Sequence, residues 1–184
     1  LSGVDLRQAR LDRVVAIRAR FDRANLSEAS LLRPTTATTF APGGSEAPSF
    51  TGADLTKARM FGIFNGASFA GAHMAGVTLA PQNHTGFIEM LWRSRLESAD
   101  LSGADLTGAD LTHVSLRLAN LKGATLKGAV LKNADLSQAD LTGADLTGAD
   151  LSNADLDGTR ISGAKGLDTA IGLATIRNRD KAVN

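Results

Sequence analysis

The feature that most constrains the fold is an apolar residue at every fifth position from Leu96 to Ile161. The series has fourteen members, of which thirteen are Leu and the last is Ile. The residue two places before each member is Ala in eleven cases, and the residue between them is Asp in eight. Residues 99–103 read Ala-Asp-Leu-Ser-Gly, and residues 104–108 read Ala-Asp-Leu-Thr-Gly. Five-residue repeats therefore build this stretch.

A period of five fits neither an ordinary helix nor an ordinary strand. Apolar positions recur near 3.6 residues in a helix and every second residue in a strand, so neither could bury all fourteen residues on one face. Similarity at a fixed period is typical of repeat architectures, in which each unit buries its apolar residue by stacking on its neighbours. The pattern therefore predicts a solenoid.

The A(D/N)LXX repeats resemble the pentapeptide repeat family. That resemblance implies an all-β solenoid, a right-handed quadrilateral β-helix in which each pentapeptide forms one side and four sides make a coil of about twenty residues. It also implies that the central Leu and the preceding Ala point inward, while Asp and the two following residues face outward. The implied structural core is Leu101, Leu106, Leu111, Leu116, Leu121, Leu126, Leu131, Leu136, Leu141, Leu146, Leu151, Leu156 and Ile161.

The expected geometry of this solenoid follows from strand spacing. Successive coils should lie about 4.8 Å apart, as neighbouring strands do. Residues twenty apart then stack directly, so Leu101, Leu121, Leu141 and Ile161 should form one column. Gly often stands two places after the central residue, which suits corners that need a positive φ.

The period divides the chain into one continuous solenoid with two interruptions. Less regular coils occupy residues 1–31, and central coils occupy 50–79, with one residue deleted between Met60 and Phe64. The regular β-helix covers 96–166, and a cap and tail cover 167–184. A Pro-, Gly- and Thr-rich loop at 32–49 and an insert at 80–95 separate these parts.

The insert at 80–95 contains the single Trp of the chain. Thr85 is a candidate N-cap, and residues 86–95 are predicted to form a short helix. Its face could pack on a flank of the solenoid. Alternatively the helix projects and docks a partner, because Trp and Arg are common interface anchors. The candidate partner-binding residues are Phe87, Ile88, Leu91, Trp92, Arg93 and Arg95.

The tail from residue 167 is predicted to be a second short helix. Leu167 and Ile171 lie on one face of it and would cover the end of the solenoid, where core and unpaired strand edges are otherwise exposed. The same surface could instead form a homodimer.

Charge is distributed unevenly although the net charge is only +1. Residues 1–33 contain seven Arg against four acidic residues. These arginines could form a basic face in contact with solvent, or they could form a nucleic-acid-binding patch. The second alternative is less consistent with the sequence, because this segment lacks the aromatic residues on which bases usually stack. Within the regular block, four basic residues form a girdle between two acidic coils, with one residue on each side: Arg117, Lys122, Lys127 and Lys132. Local charge compensation is the simpler interpretation of the girdle.

No catalytic, cofactor-binding or metal-ligating pattern is recognised. The chain has no Cys, and its three histidines, His73, His84 and His113, lie in separate segments. The glycines recur at a period of five and match neither a P-loop nor a dinucleotide-binding motif. We therefore expect no enzyme activity and no cofactor. No apolar run is long enough for a membrane helix and no secretory signal opens the chain, so a bacterial, cytoplasmic protein without membrane or nucleic-acid partners is expected.

Two functions follow from these observations and the family resemblance. One is a rigid protein-interaction scaffold or adaptor, with an unidentified protein partner recognised through the loop excursions. The other follows from family members that mimic duplex DNA, bind DNA gyrase or topoisomerase IV, and protect them from quinolones. The chain lacks the strongly acidic surface that such mimicry requires.

Overall fold

The fold is a four-sided β-helix. The computed structural model describes residues 1–37, 46–81 and 93–184. In these residues each side carries one residue on a ladder of parallel bridges to neighbouring coils, and the third face lacks the bridge between Thr35 and Ile63. Four ladders therefore run along the solenoid, and the predicted stacking of residues twenty apart is confirmed in the regular block, for example Asn120 with Asp140.

We name the faces by the first and last bridge residues of their ladders. The first face runs from Asp5 to Lys165, the second from Arg10 to Ile171, the third from Val15 to Arg177 and the fourth from Arg20 to Val183. Each face has eight such positions in the described residues, so the chain makes eight coils. The bridges extend to short strands on the second face of coils 2 and 3, where β1 (Ser30–Leu32) pairs in parallel with β2 (Arg59–Phe61).

The core is a column of large and small side chains along the axis. The leucines from Leu101 to Leu156 are at most 1% exposed, and the alanines two places before them are equally buried. Ile161 is half-buried against the last coil. Leu and Ala alternate because each side brings one large and one small side chain to the narrow axis.

The recurring Asp shapes the turn of each side. It lies on the ladder, and its Oδ1 accepts the N–H of the residue two places later, as in Asp105 to Thr107 at 3.0 Å and Asp150 to Ser152 at 3.0 Å. This local hydrogen bond is the Asx-turn that Asp and Asn favour. The corner that follows has a positive φ, for example +63° at Gly103.

The bridge register locates every interruption of the period. Ser49 pairs with Ser68, nineteen residues away, which confirms the deletion between Met60 and Phe64. Arg20 pairs with Ser49, so the first loop adds nine residues to a coil of twenty, and they lie between Thr36 and Glu46. This insertion is shorter than the predicted 32–49 loop, because Thr35 still bridges Val15.

The second insertion adds twelve residues, because Ile63 pairs with Arg95 at a separation of thirty-two. These extra residues fall between Leu79 and Ser94, and residues 82–92 lie outside the described part. The helix predicted for 86–95 is wrong at its carboxyl end. Ser94 is fully buried at a corner and Arg95 belongs to the ladder of the third face, so neither is helical.

The helical cap predicted after residue 167 is also wrong. The chain instead forms an eighth coil with six-residue sides, whose bridge residues are Lys165, Ile171, Arg177 and Val183. Leu167 is half-buried and Ile171 is 57% exposed, so these residues do not share a covering helix face. Helix cannot continue because Gly166, Gly172 and Asn178 adopt positive φ at intervals of six.

Among the described residues the helices are two short 3₁₀ turns, Leu173–Thr175 and Arg179–Lys181. Neither could cross a membrane.

The last coil depends on Gly172, and this dependence can be tested. Gly172 has φ +82°, and a Cβ there would lie 2.6 Å from the Ser152 Cα, whereas Gly128 has φ +61° and open space around it. Gly128→Ala should lower the free energy of unfolding by about 1 kcal/mol through φ strain alone. Gly172→Ala adds a steric overlap with backbone, so we expect a further loss of about 1–3 kcal/mol. Equal denaturant midpoints for the two variants would contradict this assignment.

Phenylalanines replace leucine in the core of coils 1 to 3. Phe21, Phe50 and Phe69 stack on the fourth face, with ring centroids 5.0 and 4.9 Å apart and planes within 5° of parallel. Phe64 meets Phe50 and Phe69 edge-on at 6.4 and 6.2 Å. This aromatic cluster fills the coils that carry the first insertion and the deletion.

Phe50 should therefore be the most sensitive core position of these coils. Phe50→Ala leaves a cavity between two rings, so we expect a loss of about 3–5 kcal/mol in the free energy of unfolding. Phe50→Leu restores the residue used elsewhere on the axis and should cost no more than about 1.5 kcal/mol. Denaturant unfolding followed by circular dichroism measures both, and a Phe50→Leu variant as unstable as Phe50→Ala would refute the comparison.

Candidate interaction surface

Both insertions border the third face. The nine-residue insertion follows Thr36 in coil 2, at the edge between the third and fourth faces. The twelve-residue insertion precedes Ser94 in coil 4, at the edge between the second and third faces. The deletion in coil 3 lies at this second edge too, beside Gly62. In coils 2 to 4 the third face is thus the side of the solenoid at which the chain departs from its period.

Ser94 fixes the point at which the second insertion rejoins the solenoid. At an ordinary corner the N–H of the inward Ala donates to the preceding central carbonyl, as Ala99 does to Leu96. The insertion separates Leu79 from its next side, and the buried Ser94 hydroxyl donates to the Leu79 carbonyl at 2.6 Å instead. The sequence alone assigned no role to Ser94. A signal for it exists, because Ser94 is one of only three residues other than Ala that stand two places before a central residue in the regular block.

Arg95 and Glu97 form a fixed ion pair on the third face. The Arg95 guanidinium donates to both Glu97 carboxylate oxygens, at 3.0 and 2.9 Å, and the Ser115 hydroxyl also donates to Glu97 at 3.1 Å. The Glu97 N–H donates to Asn65 Oδ1. The hydrogen bonds from Arg95 lower the pKa of the Glu97 carboxyl, while partial burial acts in the opposite direction. The pair therefore stays charged and held in place at neutral pH.

Leu118 is the apolar residue that stands out beside this pair. It is 52% exposed and has φ +59°, at a corner of the third face in coil 5. Positive φ costs a non-glycine residue about 1–2 kcal/mol. Leu118 thus accepts both backbone strain and exposure to water, next to the exposed Arg117. The other corners of the regular block carry Gly, Asn, Ser, His or Gln at this position, so an apolar Leu there was the sequence signal for it.

The structure places two of the six predicted partner-binding residues. Arg93 is exposed and Arg95 lies in the ladder with a 37% exposed side chain. Phe87, Ile88, Leu91 and Trp92 lie outside the described residues. Their role stays a prediction, although the insertion that contains them starts and ends beside the third face.

The carboxylates of the regular block lie beside lysines of the preceding coil. In the described part of the chain no group of His, Asp and Glu could hold a metal ion. His73 lies on the first face and His113 at a corner of the second, forty residues apart. The predicted basic girdle instead makes ion pairs with the next coil, at 3.2–3.3 Å: Lys122 with Asp140, Lys127 with Asp145 and Lys132 with Asp150.

Comparisons with known proteins agree with this fold. The family model described as pentapeptide repeats matches residues 1–31, 94–133 and 124–163. HetL is a pentapeptide repeat protein involved in heterocyst differentiation regulation from the cyanobacterium Nostoc sp. strain PCC 7120. The sequence of HetL is 31% identical to that of the chain, and the match covers the whole chain and 79% of HetL. The TM-score between the chain and the HetL crystal structure is 0.58.

Two further solved structures are more distant. QnrB1, a plasmid-mediated fluoroquinolone resistance protein, is 18% identical in sequence, and the match covers 90% of the chain and 83% of QnrB1, with a TM-score of 0.47. Rfr23 from the cyanobacterium Cyanothece 51142 is 22% identical in sequence, and the match covers 98% of the chain and 88% of Rfr23, with a TM-score of 0.28. No curated protein sequence matches significantly. The family match and the similarity to HetL agree with the four-sided coil, and the chain therefore belongs to the pentapeptide repeat family.

Proposed function

We propose that the protein is a non-enzymatic, rigid scaffold that binds a protein partner through its third face. The observation that carries this proposal is the arrangement of irregular features around that face. Two insertions leave the solenoid at its opposite edges, and the exposed Leu118 stands at a corner between coils that are otherwise regular.

Rigidity supports such a role. The coils are bonded to one another along four ladders, with one bridge missing between coils 2 and 3 on the third face, and the axis is filled by buried side chains. A partner that docks on this surface orders little of the solenoid on binding, so a small contact area can give useful affinity. Leu118 would supply an apolar contact, and Arg117 would supply the guanidinium that interface hot spots favour.

The strain at Leu118 also supports it. Residues held in sparsely populated backbone conformations often mark functional sites. Gly123 occupies the equivalent corner of the next side, so the fold does not require Leu there. The relative HetL is involved in the regulation of differentiation, and a regulatory role is compatible with a scaffold that has no chemistry of its own.

Leu118 can be tested without disturbing the fold. A photoreactive residue at position 118 would identify the partner in a lysate of the source organism. Leu118→Asp should then weaken the purified complex at least tenfold, because it places a charge in an apolar contact, while Asp tolerates positive φ. Asn153→Asp, at an exposed corner with φ +57°, is the matched control and should change affinity less than twofold. Unchanged affinity of Leu118→Asp would refute the third face as the docking surface.

The charge pattern gives little support to the alternative of DNA mimicry. Carboxylates on three faces of coils 6 and 7 are paired with the lysines of the girdle, and the first coil is rich in arginine. A DNA mimic needs a continuous negative surface instead.

A DNA gyrase supercoiling assay tests the alternative directly. With the protein at micromolar concentration we expect unchanged supercoiling and unchanged inhibition by a fluoroquinolone. Protection from the drug, or inhibition by the protein alone, would favour mimicry over the scaffold.

A further inference from the structure

We propose, on the basis of the function proposed above, that the third face binds an amphipathic helix of the partner protein. The helix lies along the solenoid from coil 1 to coil 5. Its apolar stripe contacts Val15 and Leu118, and its acidic residues lie beside the stripe, opposite exposed arginines.

Two distant parts of the sequence expose an apolar side chain on the same side of the solenoid. Six large apolar side chains are exposed in the described residues, and four of them belong to the start of coil 1 or to coil 8: Leu1, Val4, Ile171 and Val183. The remaining two are Val15 and Leu118. Val15 is 68% exposed on the third-face ladder of coil 1, and Leu118 is 52% exposed at the edge between the third and fourth faces in coil 5.

Val15 stands where the repeat favours Asp. At this ladder position the Asp carboxylate accepts the N–H of the residue two places later, as in Asp105 and Thr107. Val15 cannot accept this hydrogen bond, and its side chain is exposed to water. Val15 and Leu118 thus each replace a residue that suits the turn better, and contact with a partner would remove both side chains from water.

The spacing of the apolar residues matches that of a helix. With coils about 4.8 Å apart, Val15 in coil 1 and Leu118 in coil 5 are separated by about 19 Å along the solenoid. Ile63, which is half-buried on the third face of coil 3, lies about halfway between them. Helix residues i, i+7 and i+14 share one face and are successively about 10 Å apart. Leu118 lies to one side of the ladder, but a helix about 10 Å wide reaches both positions.

The backbone of the third face also favours a helix over an extended segment. Its hydrogen bonds run along the solenoid, as from the Ala16 N–H to the Thr35 carbonyl at 2.7 Å and from the Leu116 N–H to the Asp135 carbonyl at 2.8 Å. A partner that lies on the face therefore meets side chains. An extended segment would leave its own N–H and C=O groups unpaired on the side that faces the solenoid, which is costly, whereas a helix pairs these groups internally.

Positive charge lies beside both apolar residues. Arg18 is exposed at the corner that follows Val15, and Arg117 is exposed next to Leu118. Within residues 1–37, 46–81 and 93–184, neither guanidinium group makes a hydrogen bond or an ion pair. Each can therefore hold a carboxylate of the partner with two hydrogen bonds.

The carboxylates on this part of the face are already engaged. Glu97 accepts hydrogen bonds from Arg95 and Ser115, and the charge of Arg117 contributes to the lowered pKa of Glu97. Glu46, at the edge shared with the fourth face, also has an interaction partner. Acidic residues beside the apolar stripe of the helix would therefore complement this surface.

The experiment uses the whole chain and a fluorescein-labelled helical peptide of about eighteen residues, which is long enough to span five coils. The peptide has Leu at i, i+3, i+7, i+10 and i+14, Glu beside this stripe, and lactam bridges on the opposite side that keep it helical. Fluorescence polarisation measures its affinity at about 150 mM salt, where distant surface charges are screened. We expect Val15→Asp and Leu118→Asp each to weaken binding at least about fivefold, because both place a carboxylate against the apolar stripe.

The substitution at Val15 has a matched control. Val15→Asp introduces the residue that the repeat favours at this ladder position, so the variant should fold normally. Val183→Asp adds the same charge at an exposed ladder position of the fourth face in coil 8. We expect this control to change affinity less than about twofold, because it lies outside the docking surface.

Four results with the peptide would overturn the proposal. A wild-type protein that does not bind it would exclude an acidic helix as the ligand. Equal affinity for a peptide with Lys in place of Glu would exclude charge complementarity, and equal affinity for a peptide in which two prolines prevent the helix would exclude the helical form. Equal weakening by Val15→Asp and Val183→Asp would reduce the effect to net charge.

The complex with the partner captured through position 118 separates this proposal from the proposed function. Weakening of that complex by both Leu118→Asp and Val15→Asp would support a helix that spans five coils. If Leu118→Asp alone weakens it, the third face remains the docking surface and the spanning helix is refuted. If Leu118→Asp leaves the affinity unchanged, both proposals fail.

Discussion

The structure depends on two requirements that every side must meet, one for the packing of its side chains at the axis and one for the hydrogen bonds of its backbone. Across the axis, each side must contribute one large and one small apolar side chain, because the interior is too narrow for more. Along the axis, the backbone of each side must meet the next coil at the spacing of neighbouring strands. Five residues satisfy both conditions, and Asp at the ladder position completes the turn with its own hydrogen bond. The regular block is therefore strongly specified by local chemistry.

Where a side departs from five residues, a side-chain hydrogen bond takes the place of a backbone hydrogen bond. These substitutions mark where the chain differs from a regular solenoid. Ser94 replaces a backbone donor at the second insertion, and Thr36 donates its hydroxyl to the Ile63 carbonyl at 2.7 Å where no bridge joins coils 2 and 3 on the third face. Both side chains are buried, and an unsatisfied carbonyl in their place would be destabilising. The stacked phenylalanines fill the core of the same coils.

The sequence predicted most of this fold, because a five-residue period constrains both side chains and backbone. The deletion near Met60, the stacking of residues twenty apart and the charge compensation of the lysine girdle all follow from position alone. The tail was misjudged because Leu167 and Ile171 are four apart, as in a helix, whereas Gly166 and Gly172 impose a six-residue side. The candidate surfaces were harder to predict. They depend on which edges the insertions leave and on strain at Leu118, and neither follows from a single repeat.

The six-residue sides of coil 8 show how the solenoid accommodates a longer side. Each bridge residue of coil 8 still pairs with coil 7, from Lys165 with Asp145 to Val183 with Arg160. The extra residues lie between the bridge residues, where Leu173–Thr175 and Arg179–Lys181 form 3₁₀ turns. The length of a side can therefore vary at its corner while the hydrogen bonds between coils keep their register.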